Sequence, residues 1–85
     1  LSEKYQILGR QIAAGRALTG LSQAELAGAA SISVPTLRRM EASEGIASGL
    51  PNNVLAVRNA LESAGVVFIE ENGGGPGVRL RRSLS

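Results

Sequence analysis

The stretch LTGLSQAELAGAASISVPTLRRME, residues 18–41, decides the fold, because it contains two short helical patterns separated by a tight break. The first pattern opens at Ser22, a good N-cap, with Glu25 three positions on, which together form the S-x-x-E capping box. Leu26, Ala27 and Ala30 then share one face, leaving Gln23 and Gly28 outside. The serines Ser31 and Ser33 compete for backbone hydrogen bonds, and Pro35 disfavours helical angles at Val34, so the chain is predicted to turn there. Ser33 serves as a second N-cap with Pro35 in the first turn, where a missing N–H does no harm. Leu37 and Met40 are the inward pair of this second helix, Val34 lies on the same stripe, and Arg38 and Arg39 point out. Two helices of about eight residues joined by a turn of about three or four form the motif whose second helix enters the DNA major groove.

Working outward, residues 3–18 read as a first helix, from Glu3 to Leu18. Its apolar stripe is Ile7, Leu8, Ile12, Gly15 or Ala14, and Leu18, and Gly20 closes it. Residues 42–50 show no clear period and read as a connecting loop. Pro51 marks a new helix with Val54, Val57, Leu61 and Ala64 inward, Leu55 beside them and Gly65 at its end. The period then changes. Val66, Val67, Phe68 and Ile69 form a β-type run, residues 72–77 are a glycine-rich loop, and residues 78–81 alternate apolar with charged, which predicts a β-hairpin. A lone hairpin is marginal in water. Val66 and Phe68 point to one face and Val67 and Ile69 to the other, so both faces are apolar. One is expected to cover the last helix and the other to meet a second copy in a homodimer, with Val67, Phe68, Ile69, Val78 and Leu80 as the dimerisation residues.

The expected fold class is therefore mainly α: a small domain of four to five helices with a C-terminal β-hairpin. Residues 1–65 form the helix-turn-helix unit (motif 22–41), and residues 66–85 the hairpin and basic tail. The 85 residues allow one domain, and a hydrophobic share of 44% suffices for a small core built from Leu, Ile, Val and Ala. With no cysteine there is neither a disulfide framework nor a thiolate metal site. With no histidine or aspartate, neither a Ser-His-Asp triad nor a Cys-His pair can be assembled, so no enzyme, cofactor or metal is expected. No apolar run approaches the roughly 18 residues that span a bilayer, and the N-terminus lacks the order of a signal peptide, so a cytoplasmic protein without membrane contact is expected. The net charge of +2 is mild, but eight of the nine basic residues are arginine and they cluster at Arg38 and Arg39 and at Arg79, Arg81 and Arg82.

The runs RALTGL (16–21), LSQAELA (21–27) and SVPTLRRME (33–41) resemble the DNA-binding domain of the lambda-repressor-like (Cro and xenobiotic-response-element) family of bacterial and phage transcriptional regulators. The closing ENGGGPGVRLR (71–81) is similar to a C-terminal signature of one subset of short members. The likeness covers most of the chain, most densely over residues 8–41 and least over 42–52.

The resemblance implies double-stranded DNA as partner, with Gln23 at a phosphate and Ser33, Val34, Pro35, Thr36, Arg38 and Arg39 on the reading helix. Val34, Pro35 and Arg39 stand where members approach base edges. Arginine can bind guanine bidentately, whereas valine and proline offer only apolar contact, so Arg39 is the leading reader. Thr36 is assigned to phosphate, and Arg38 is open between base and phosphate. The resemblance also implies a structural ion pair between Arg16 and Glu41. Ser31 departs from the glycine common at the turn, which costs about 1 kcal/mol in a left-handed conformation. Ala27 marks a close helix crossing where a larger side chain would force the helices apart.

The run Gly73 to Gly77 lacks the lysine and the strand-loop-helix setting of a phosphate-binding loop and reads as a hairpin connection. Arg79, Arg81 and Arg82 suit either DNA phosphates or a charged strand that discourages edge aggregation. The functional expectation is a repressor reading a pseudo-palindromic site as a homodimer, with no room for a ligand-sensing domain. Two rivals stay open: an antitoxin-like or adaptor protein that binds an unidentified protein partner, and a nucleic-acid packaging protein without sequence choice.

Overall fold

The computed structural model describes residues 4–82. Among these residues it contains four helices and one two-stranded antiparallel hairpin, in the order α1 (Gly9–Thr19), α2 (Gln23–Ala30), α3 (Val34–Glu41), α4 (Pro51–Ser63), β1 (Val66–Ile69) and β2 (Gly77–Leu80). The Cα radius of gyration is 11.8 Å, close to the roughly 12 Å of a single globular domain of this length.

The central pair forms as its caps dictate. Ser22 Oγ accepts the Glu25 N–H at 3.0 Å while Glu25 Oε1 accepts the Ser22 N–H at 2.8 Å, a complete capping box. Three residues then turn the chain. Ser31 closes α2 in the left-handed region at φ 57°, and Ser33 Oγ accepts the Thr36 N–H at 3.2 Å to open α3. At the other end of α3, Ser43 Oγ donates to the Arg39 carbonyl at 3.1 Å and accepts the Ser48 N–H at 2.9 Å, which orders the following loop.

The first helix departs from expectation. Its expected start at Glu3 lies outside the described residues, and the helix begins only at Gly9. Residues 7 and 8 are extended instead, because Ile7 and Leu8 pair with the loop after α3: Ala47 N donates to the Ile7 carbonyl at 2.8 Å and Gly9 N to the Gly45 carbonyl at 3.0 Å. Leu18 is 42% exposed and stands off the stripe, and of the alternatives Ala14 and Gly15 it is Gly15 that is buried. Ala64 is likewise exposed, since it caps α4 after the inward run Val54, Val57 and Leu61 has ended.

Glycine allows two close approaches on α1. A Cβ on Gly9 would collide with the Met40 carbonyl, and one on Gly15 would press on Leu61 and Val66 at 3.4 Å. Hence α1 lies directly against the end of α3 on one side and against α4 and β1 on the other. The centre of the core is Ile12, Leu26, Leu37, Met40, Val54, Val57, Leu61 and Val66.

The hairpin register pairs Val66 with Leu80, Val67 with Arg79, Phe68 with Val78 and Ile69 with Gly77. Directly paired residues share a face. Val66, Phe68, Val78 and Leu80 therefore form the inner face, which packs on the core, and Val67, Ile69 and Arg79 form the outer one. This divides the expected dimerisation set: Phe68, Val78 and Leu80 are used within the protomer, and Val67 and Ile69 remain for the outer face. No helix among the described residues is long and apolar enough to cross a membrane.

Candidate nucleic-acid interface

The surface is built on α3, an eight-residue helix with two distinct sides. Leu37 and Met40 are fully buried and anchor it, and Val34 is half-buried against the same core. Ser33, Pro35, Arg38 and Arg39 are exposed and Thr36 is half-buried on the opposite side. Of the three side chains expected near base edges, Val34 thus leans inward, while Pro35 and Arg39 are outward.

The outward side chains are tied together. Thr36 Oγ1 lies 2.8 Å from Ser33 Oγ and accepts from Arg39 Nη2 at 3.3 Å, so Arg39 rests along its own helix through one bond to a neutral hydroxyl. Arg38 Nε donates to Gln23 Oε1 at 3.4 Å, and Gln23 Nε2 donates to Glu41 Oε1 at 3.1 Å. Gln23, expected to be an exposed residue at the start of α2, is therefore half-buried and bonded on both sides of its amide.

Below it lies the ion pair. Arg16 Nε meets Glu41 Oε2 at 2.8 Å and Arg16 Nη2 meets Glu41 Oε1 at 3.1 Å, with Nη1 donating to the Leu21 carbonyl at 3.1 Å. The Glu41 side chain is only 8% exposed. The hydrogen bond to Glu41 raises the Arg16 pKa above its already high ordinary value; burial opposes the shift and the Glu41 charge adds to it.

The C-terminal arginines are less free than their clustering suggests. Arg81 Nη2 donates to the Glu62 carbonyl at 2.9 Å, capping the end of α4, while Arg79 and Arg82 are exposed. In the glycine-rich loop, Glu71 Oε2 accepts the Gly75 N–H at 3.2 Å, so a carboxylate takes a donor that a phosphate would need.

Two structural side chains were not singled out in the sequence. Arg58 sits 4.9 Å from the Phe68 ring centroid, pairs with Glu62 at 3.1 Å and donates to the Lys4 carbonyl at 3.2 Å. Only its i,i+4 spacing to Glu62 hints at this. Gln11, a buried polar residue, accepts the Leu8 N–H at 2.8 Å and donates to the Gly77 carbonyl at 2.9 Å, joining α1 to the hairpin.

A groove of about 230 Å³ lies between Ile7, Ile46, Arg58 and the hairpin residues Phe68 and Ile69, with no residue of α2 or α3 in its walls. Among the described residues no group of three metal-ligating side chains comes together. No family model matches the chain, and no curated protein matches it.

Proposed function

We propose that this chain is a sequence-specific DNA-binding transcriptional regulator of the lambda-repressor-like kind. It acts in the bacterial cytoplasm as a repressor and binds a pseudo-palindromic site as a homodimer. The observation that carries the reading is the two-sidedness of α3: a short, doubly capped helix after a three-residue turn, pinned by Leu37 and Met40, with Pro35, Arg38 and Arg39 turned to solvent. A helix so held is rigid enough to place side chains against base edges, and its arginine pair matches the acceptors of the major groove and the charge of the backbone. The outer hairpin face, with Val67 and Ile69 only half-buried, supports a contact between two copies. Two reading helices in such a dimer address half-sites one DNA turn, about 34 Å, apart.

The test is selection of bound fragments from random DNA at near-physiological salt, with Arg39→Ala beside the parent. The reading requires an enriched two-fold motif, and a variant that loses about 1 to 3 kcal/mol of preference at one base position. Binding without enrichment that vanishes as salt rises would assign the chain to packaging instead.

A second reading, an adaptor for another protein, is favoured by the apolar exposure of Ile46 at 54% and Leu50 at 69% on the loop after α3. It requires a partner whose capture is lost in Ile46→Ser or Leu50→Ser.

A further inference from the structure

We propose, building on the DNA-binding reading, that Glu41 is a positioning residue that acts through the Gln23 amide to commit Arg38 to the DNA backbone and leave Arg39 to read bases. The argument begins with donor and acceptor chemistry. An ionised carboxylate only accepts hydrogen bonds, and a guanidinium only donates. Gln23 lies between one of each: Glu41 Oε1 at 3.1 Å from its Nε2 and Arg38 Nε at 3.4 Å from its Oε1. Turning the amide over would set oxygen against carboxylate and NH2 against guanidinium. Only one orientation satisfies both neighbours.

That orientation is itself anchored. Glu41 is held by Arg16 through two bonds of 2.8 and 3.1 Å, so the series runs from α1 to the end of α3, to the start of α2 and back to the middle of α3. Arg38 and Glu41 are three residues apart on one side of α3, and Gln23 bridges them from α2. The result for Arg38 is specific. Its Nε is occupied by Gln23, its side chain is exposed with no hydrogen bond on either Nη among the described residues, and Gln23 Nε2 has a second hydrogen besides the one given to Glu41. Such an array of donors with net positive charge suits a phosphate, which takes several donors without regard to sequence. Arg39 has only its bond to Thr36 Oγ1 to give up.

The experiment is a double-mutant cycle on the full chain, with a duplex that carries the selected site, measuring affinity across a salt series. Arg38→Ala is expected to weaken binding about tenfold at every sequence and to lower the salt slope by about one, the signature of one lost phosphate. Glu41→Gln is expected to weaken binding about fivefold in the parent, yet less than about twofold when Arg38→Ala is already present. A merely structural role would weaken both backgrounds equally, and that result overturns the proposal. Should Glu41→Gln fail to fold, Gln23→Met breaks the same relay while sparing the Arg16 and Glu41 pair. Because the Gln23 amide is itself a phosphate donor, part of its loss persists beside Arg38→Ala, but that loss must be at least about threefold smaller than in the parent, and equal losses overturn the proposal. The Gln23 side-chain amide resonances give a readout independent of DNA: they shift in Glu41→Gln if the bond is present and stay fixed if it is not. A parent that binds DNA with additive variants removes this inference alone, whereas a parent without affinity for DNA removes the functional reading and this inference with it.

Discussion

Arg16 on α1 and Glu41 at the end of α3 stand 25 positions apart in sequence and meet through two hydrogen bonds of 2.8 and 3.1 Å. The carboxylate is 8% exposed and the guanidinium 26%, so the pair is screened by protein on one side only. Arg16→Ala removes two of the bonds that the sheltered Glu41 carboxyl group accepts and leaves it with the Gln23 amide. The expected loss is about 3 kcal/mol by chemical denaturation, against less than about 1 kcal/mol for an exposed pair. Pairing raises the Arg16 pKa in the folded state, so its contribution is complete below the unfolded value and fades only as pH rises through the folded one. The stability gap between parent and Arg16→Ala should therefore stay level from about pH 7 to about pH 10.

Two glycines predict opposite outcomes for one substitution. Gly9→Ala drives a methyl group into the Met40 carbonyl where α1 meets α3, and should cost about 3 kcal/mol. Gly28→Ala, exposed in the middle of α2 with nothing within 4 Å of the new methyl, should add about 0.5 to 1 kcal/mol. Each kcal/mol moves the melting temperature by about 4 to 8 °C in a domain of this size, so thermal melts distinguish the two directly.

Ser31 is the one described residue other than glycine with a positive φ, at 57°. Ser31→Gly removes the clash of its Cβ and should raise stability by about 0.5 to 1 kcal/mol, while a β-branched Ser31→Val should lower it by at least as much. A melt in which Ser31→Gly is neutral would show that the greater freedom of glycine in the unfolded chain offsets the relief of strain.

On the outer hairpin face, Val67→Lys and Ile69→Lys each place a charge where the proposed second copy would lie. Sedimentation velocity at micromolar concentration should find a dimer for the parent and a monomer for either variant. Melting temperature should be little changed at low concentration, because these side chains are only half-buried in the protomer.

What the sequence revealed and what it hid differ by the range of the interaction involved. The boundaries of α2 and α3 follow from Ser22, Glu25, Ser33 and Pro35, whose effects reach only three or four residues. The start of α1 is not legible in the sequence, because the form of Ile7 and Leu8 comes from pairing with residues 45–47, which no local pattern reports. The hairpin was legible from alternation, yet alternation does not say which face meets the helices. Only the register assigns Phe68, Val78 and Leu80 inward. The bonds of Gln23 and Gln11 are hidden for a related reason: glutamine on an amphipathic helix reads as a solvent residue until its partners on other elements are known.

The Gln11 bond to Gly77 joins positions 66 residues apart, so forming it closes a long loop. The α2 and α3 contacts close short loops and cost little entropy, whereas docking β2 on α1 must gather nearly the whole chain. Until that happens the inner face of β2 is bare and the Gln11 amide lacks the Gly77 carbonyl. During synthesis, then, the helices can assemble as they emerge, whereas the Gln11 bond waits until Gly77 has left the ribosome, which makes β2 the timekeeper of this contact.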